Sequence, residues 1–222
     1  MSKLSTISRK ILMALSGFFL MIFLLQHFSI NLLSVISPAA FNEVSQFMGT
    51  NFLVQGLLQP VLMFGIIFHF IMAIVLEIQN RKARPVKYFS TNNTGGTKLS
   101  KNMIYTGVAI MLFMLLHLYD FWVHEMIVKY GQGNMTGLNE RGEFRYHEEL
   151  VAKFQNLVRV VIYIAAFFFL GLHTNHGFQS SFQSVGANHP KYTPLIKKIG
   201  FFYSVVIPAG FAFIALYHFL IH

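Results

Sequence analysis

The sequence predicts an all-α integral membrane protein with five transmembrane helices. Two observations decide this. The 222 residues are 55% hydrophobic, with 25 Phe, and only 11% charged, whereas soluble domains carry about 25% charged residues. The apolar residues also fall into five runs, each reaching the roughly 20 residues that a helix needs to cross a bilayer. Mean hydropathy is +0.54.

The spans are drawn at residues 10–36, 52–79, 102–128, 155–178 and 199–221. The first is too long for a signal-peptide core and lacks a small-residue cleavage site, so it reads as a retained span. In the 37–51 connection, Phe41, Val44, Phe47 and Met48 recur at helical spacing. That pattern predicts a short amphipathic helix on the outer surface. The 129–152 segment is rich in Gly, Asn and Glu and reads as an exposed outer loop. His218 and His222 fall at the outer end of span five and read as interfacial. No repeat or low-complexity tract divides the chain, so residues 1–222 form one domain.

Charge gives the orientation. Lys3, Arg9, Lys10, Arg81, Lys82, Arg84, Lys87, Lys98, Lys101, Lys191, Lys197 and Lys198 all fall on one side, and they are twelve of the seventeen basic residues. The other side carries seven of the eight acids. The exception is Glu77, at the inner end of span two near Arg81. The positive-inside rule then puts the N-terminus in the cytoplasm and the C-terminus outside. A net charge of +9 spread over such loops serves topology and is no nucleic-acid signature. The chain has no cysteine, which excludes disulfides, thiolate-held iron–sulfur clusters and thioether-linked haem.

Polar groups inside a bilayer are costly, so histidines deep in spans are functional candidates. Four qualify: His27, His69, His117 and His173. Each lies roughly 25 Å along its helix from the entry end. Spans one and three run outward, so His27 and His117 meet at an outer level. Spans two and four run inward, so His69 and His173 meet at an inner level. The two levels are roughly 15–20 Å apart. One imidazole from each of two facing helices is the ordinary way to hold a bis-histidine haem b. The expected fold therefore contains a four-helix haem-binding bundle with two haem b groups. Zinc is disfavoured, because no Cys, Asp or Glu joins either pair at its depth. Gly17 and Gly107 each lie ten residues before an outer histidine, near the inner level, where a missing side chain leaves room for a flat macrocycle. Gly65 and Gly171 precede the inner pair. Glycine also lets membrane helices pack closely, so both readings stand for all four.

Several stretches, taken in order, resemble one family. They are FLLQHFSIN around His27, AFNEVSQFM in the 37–51 connection, IIFHF around His69, LLHLYDFW around His117 and LHTNHGFQSSF around His173. They resemble the di-haem cytochrome b membrane anchor of succinate:quinone oxidoreductases (succinate dehydrogenase or fumarate reductase), of the single-subunit, five-helix kind typical of menaquinone-using bacteria. The likeness covers nearly the whole chain. It implies an anchor in the bacterial inner membrane that binds a flavoprotein with FAD and an iron–sulfur subunit on its inner face, where the dicarboxylate chemistry occurs. It implies electron passage between the iron–sulfur subunit, an inner haem on His69 and His173, an outer haem on His27 and His117, and quinone, with menaquinone expected over ubiquinone. Some members carry a Glu in span four for coupled proton movement; VVIYIAAFFFLGLH has no acid. The chain has no flavin motif and no cluster ligands, so it is read as a subunit of the enzyme and not as a catalyst alone.

Other sites follow by depth. Haem propionates favour Arg or Lys. Arg9, Lys10 and Arg81 lie near the inner level and Arg159 near the outer, though each also fits a topology charge. His176, one turn inward of His173, falls beside the inner haem edge. Quinone binding needs polar groups near the membrane edge. Asn31, Gln59, Asp120, His124 and Glu125 are the candidates, and they equally mark a water interface with Tyr119 and Trp122. The basic 80–101 loop faces either the soluble subunits or anionic lipid. Two other classes compete: a cytochrome b subunit of a hydrogenase or formate dehydrogenase, and a haem-free transporter with histidine proton relays. The AFN…FM stretch and the order of the histidine stretches argue against the first. The lack of a broken helix pair argues against the second.

Overall fold

A computed structural model describes residues 5–82 and 103–221. Its helices are α1 (Thr6–Ile36), α2 (Pro38–Thr50), α3 (Val54–Lys82), α4 (Met103–Gly131), α5 (Tyr146–Phe154), α6 (Leu157–Ser184) and α7 (Thr193–Ile221). Five of these, α1, α3, α4, α6 and α7, are long and apolar enough to cross a membrane. The chain is a multi-pass helical membrane protein. Lys3, His222 and most of the basic 80–101 loop lie outside the described residues.

Caps explain where several helices begin. The Ser5 hydroxyl accepts from the Ser8 N–H, and the Asn156 side chain accepts from the Arg159 N–H. Each satisfies a donor with no partner inside the helix. Ser37 closes α1 through its own N–H and opens α2 through its hydroxyl, with Pro38 at the first helical position. Pro38 suits that site because its missing N–H would have been unpaired anyway. Each spanning helix except α1 and α7 starts one or two residues later than its drawn span, and every one overruns at one end, by up to six residues, because helical hydrogen bonding continues past the point where hydropathy marks it.

The 129–152 segment corrects an expectation. Its last part is the helix α5, with Leu150 and Phe154 buried. The spacing of four between these two residues is helical. The surrounding charges, Glu148, Glu149 and Lys153, hid it. The predicted helix in the 37–51 connection is α2, which buries Phe41 and leaves Phe47 exposed.

Four long helices form a ring. α1 packs against α3 and α6, and α4 packs against α6 and lightly against α3. α1 therefore lies across the bundle from α4, and α3 across from α6. α7 packs on the outside, against α6 and α1. Pro208 sits inside α7. Lacking an N–H, it leaves the Ser204 carbonyl without its helical donor. Gly171 of α6 packs against that carbonyl, where an added Cβ would come within 2.9 Å. An apolar core, with Val160, Phe167, Ile207, Phe211 and Ile214, lies between α6 and α7 and extends to α1 and α5.

Candidate functional site

The ring brings the four deep histidines together as two pairs across the bundle. His27 of α1 faces His117 of α4, with ring centres 5.7 Å apart and planes at 86°. His69 of α3 faces His173 of α6, with centres 6.4 Å apart and planes at 68°. Two metal–imidazole bonds of about 2 Å, plus about 1 Å from each nitrogen to its ring centre, need about 6 Å. Both centre-to-centre distances are close to that span. Two donors are too few for a metal held by protein alone, and among the described residues no group of three or more such side chains gathers. A metal at either pair would need further ligands besides these two imidazoles.

The levels are separate. Gly17 of α1 and Gly107 of α4 lie against the inner pair: an added Cβ would sit 3.8 Å from His69 Cε1 and 3.7 Å from His173 Cε1, respectively. Both glycines are ten residues before an outer histidine, or about 15 Å along the helix. At Gly107 nothing among the described residues but that imidazole lies within 4 Å of the Cβ position, so a flat group fits there; at Gly17 a Cβ would also meet Ser181 Oγ at 3.1 Å. The other two glycines serve packing. A Cβ on Gly65 would collide with the Phe19 ring, and Gly171 takes the Ser204 carbonyl.

The surroundings of the two pairs differ. Phe23 and Phe211 pack on His27; Phe113, Phe121 and Tyr163 pack on His117. The outer pair thus sits in an aromatic box that keeps water from the rings. His117 Nδ1 is buried with no hydrogen-bond partner among the described residues. Asn31 lies beside His27, with its amide 3.4 Å from Nδ1 and bonded at 2.8 Å to the His27 carbonyl. The inner pair meets hydroxyls instead: Ser16 Oγ lies 2.9 Å from His69 Nδ1 and Thr106 Oγ1 3.2 Å from His173 Nδ1. Composition gave no reason to single out Ser16 or Thr106. Their signal was the spacing: each lies eleven residues, three turns, before an outer histidine.

The remaining candidates disperse. Asp120 is buried against α6, gripped by Arg159 and by the Tyr163 hydroxyl. Arg159, expected at the outer haem edge, is thus committed to a carboxylate. Glu125 binds Lys129 at 2.9 Å and Arg145 at 2.5 Å, and Lys129 also donates to the Gly49 carbonyl. His124 lies 3.3 Å from Glu149. This network ties α4 to α2 and α5. Wide, π-helical turns at Leu118–Val123 and Ile127–Gly131 turn Asp120 toward α6 and Glu125 and Lys129 toward α2 and α5. His124 and Arg159 line an open cleft of 340 Å³ with Glu149, Lys153 and Asn156. Gln59 is half-buried near the start of α3, apart from that cleft's lining.

At the other end, Arg81 pairs with Glu77 at 2.6 Å. Arg9 is half-buried and Lys10 exposed near the start of α1. His176 is half-buried one turn beyond His173. His218, expected at an interface, is fully buried. It lies 2.9 Å from the Ser34 hydroxyl and beside the His147 ring, held there by the close packing of α7 on α1.

Compared with protein-family models, curated proteins and solved structures, the chain gave no match.

Proposed function

We propose that this chain is the di-haem b membrane anchor of a succinate:quinone oxidoreductase, carrying electrons between an iron–sulfur subunit and quinone. The observation that supports this best is the pair of cross-bundle histidine couples, each close to the span one metal atom needs and set at its own depth. Gly107 adds room for a macrocycle beside the inner pair. When bound, the haems would supply one-electron chemistry. His27 and His117 would hold the outer one, and His69 and His173 the inner. The aromatic box around the outer pair excludes water, and helices fixed on both sides of each pair limit ligand movement.

The rest of the proposal follows the sequence resemblance and the charge pattern. The N-terminus lies in the cytoplasm of a bacterial cell, and the basic inner face meets the iron–sulfur and flavoprotein subunits. Quinone binds toward the outer end, where Asn31 contacts His27 and His124 opens to the polar cleft. Arg9, Lys10 and His176 stand at the inner end as candidates for the haem edge.

A reduced-minus-oxidised spectrum with haem quantitation tests this on the purified chain. Two b-type haems per chain are expected. None would sink the proposal, and one would break the two-level arrangement. Co-purification of a flavoprotein separates a succinate:quinone oxidoreductase from a hydrogenase or formate dehydrogenase.

A further inference from the structure

The hydroxyls beside the inner histidines suit one arrangement of protons. A serine or threonine hydroxyl has one proton to donate. Ser16 Oγ donates it to the Met13 carbonyl at 2.8 Å, three residues back on its own helix. Thr106 Oγ1 does the same to the Met103 carbonyl at 3.0 Å. Such back-bonding to the preceding turn is the usual resort of these residues inside a helix. With its proton used in this way, each oxygen accepts from the imidazole it faces. In that arrangement His69 and His173 carry their protons on Nδ1, and their Nε2 lone pairs are left bare, which is the state a metal ligand requires.

The two sites are built alike. Each hydroxyl is followed by a glycine, Gly17 or Gly107, whose missing side chain lets the imidazole of the neighbouring helix approach. Each sits eleven residues before an outer histidine, so one face of α1 and one face of α4 serve both levels. The outer histidines have no such partner. Among the described residues, the Asn31 amide lies 3.4 Å from His27 Nδ1 and 3.5 Å from its Nε2, and His117 Nδ1 has no partner.

We propose that Ser16 and Thr106 are positioning residues for the inner haem, each fixing the tautomer and ring orientation of one axial histidine by accepting its Nδ1–H. This rests on the di-haem reading. Accepting that bond raises the basicity of the ligating nitrogen. The inner haem is thus held by two more basic imidazoles, and the outer by two that lack this support.

The test uses Ser16→Ala and Thr106→Val in the full chain, with Ser16→Thr and Thr106→Ser as conservative controls. Haem affinity, redox titration and low-spin EPR are read for each haem. The hydroxyl-free variants should lose about 10-fold or more in inner-haem affinity, the range seen when such outer partners are removed. Their inner midpoint potential should shift upward and the inner EPR signal should move. The outer haem should be unchanged, and the conservative variants should behave as wild type. An unchanged inner haem overturns the proposal, as does a shift confined to the outer one. So does an inner haem lost in Ser16→Ala and not restored in Ser16→Thr. If the wild-type chain binds no haem, the di-haem reading itself has failed.

Discussion

Arg159 grips Asp120 across the α4–α6 contact with both Nε and Nη2, at 2.9 and 2.6 Å, and the Tyr163 hydroxyl joins at 3.0 Å. The Asp120 side chain has no exposed surface, while that of Arg159 is 29% exposed. The aspartate is therefore the member that cannot be rehydrated in place. Breaking a buried pair from one side costs about 3–5 kcal/mol, and the partly exposed arginine puts this pair at the lower end. Arg159→Ala, which leaves the buried carboxylate unpaired, is expected to destabilise by about 3 kcal/mol. The double variant with Asp120→Ala should cost less than the sum of the singles. Unfolding in detergent checks both, and an additive pair would show that the contact has no coupling.

The histidine pairs predict a block pattern of haem loss. His27→Ala and His117→Ala should each remove the same haem, leaving one per chain. His69→Ala and His173→Ala should each remove the other. His176→Ala should leave two, because that ring lies a turn away from the inner pair. Haem quantitation with redox titration reads this directly. A variant of one pair that removes the other pair's haem would contradict the cross-bundle assignment.

Gly107 predicts a steric effect without loss of any ligand. Its open face lies 3.7 Å from His173 Cε1 at the Cβ position, so Gly107→Leu places a branched side chain where the flat group would lie. Inner-haem content should fall several-fold while outer-haem content holds. Gly65→Ala should act differently, destabilising the fold through Phe19 without selecting one haem. Equal loss of both haems in Gly107→Leu would count against the opening.

The network around Glu125 predicts an alkaline transition. Burial pushes the Tyr146 hydroxyl up to about 12, with Glu125 acting in the same direction. The unfolded value is about 10. The folded state thus holds the phenolic proton more tightly, so this contribution to stability is complete below about pH 10 and is lost as pH rises through about 12. Thermal unfolding compared between about pH 9 and pH 11.5 should show a decline, and Tyr146→Phe should flatten it. Tyr146 also donates to Gln46 Oε1 at 2.7 Å, so the variant will be somewhat less stable at every pH.

The five spans and both histidine pairs were legible because each rests on a simple count. Apolar length marks a span, and helix rise converts position into depth. The pairing of His27 with His117 followed from direction alone. Other features were illegible for physical reasons. α5 is short, and its two buried residues are outnumbered by charges that face solvent or pair with α4. The burial of His218 depends on how α7 lies against α1, which hydropathy does not encode. Asp120, His124 and Glu125 read as one polar cluster because they are near in sequence; the wide turns of α4 send them to different neighbours. Ser16 and Thr106 look like ordinary small residues until the neighbouring helix is placed beside them.

The eleven residues that separate Ser16 from His27, and Thr106 from His117, make each helix a ruler with two marks. Between the marks, Gly17 and Gly107 must stay small and Phe23 and Phe113 pack on the outer histidines, while the other side chains can vary so long as they suit the bilayer and the packing. The number of residues between the marks cannot change, because one inserted residue turns the far mark by about 100° and lifts it by about 1.5 Å. Related chains should therefore vary in letter across these two intervals and stay constant in length. Insertions should instead collect in the connections at the two ends of the bundle.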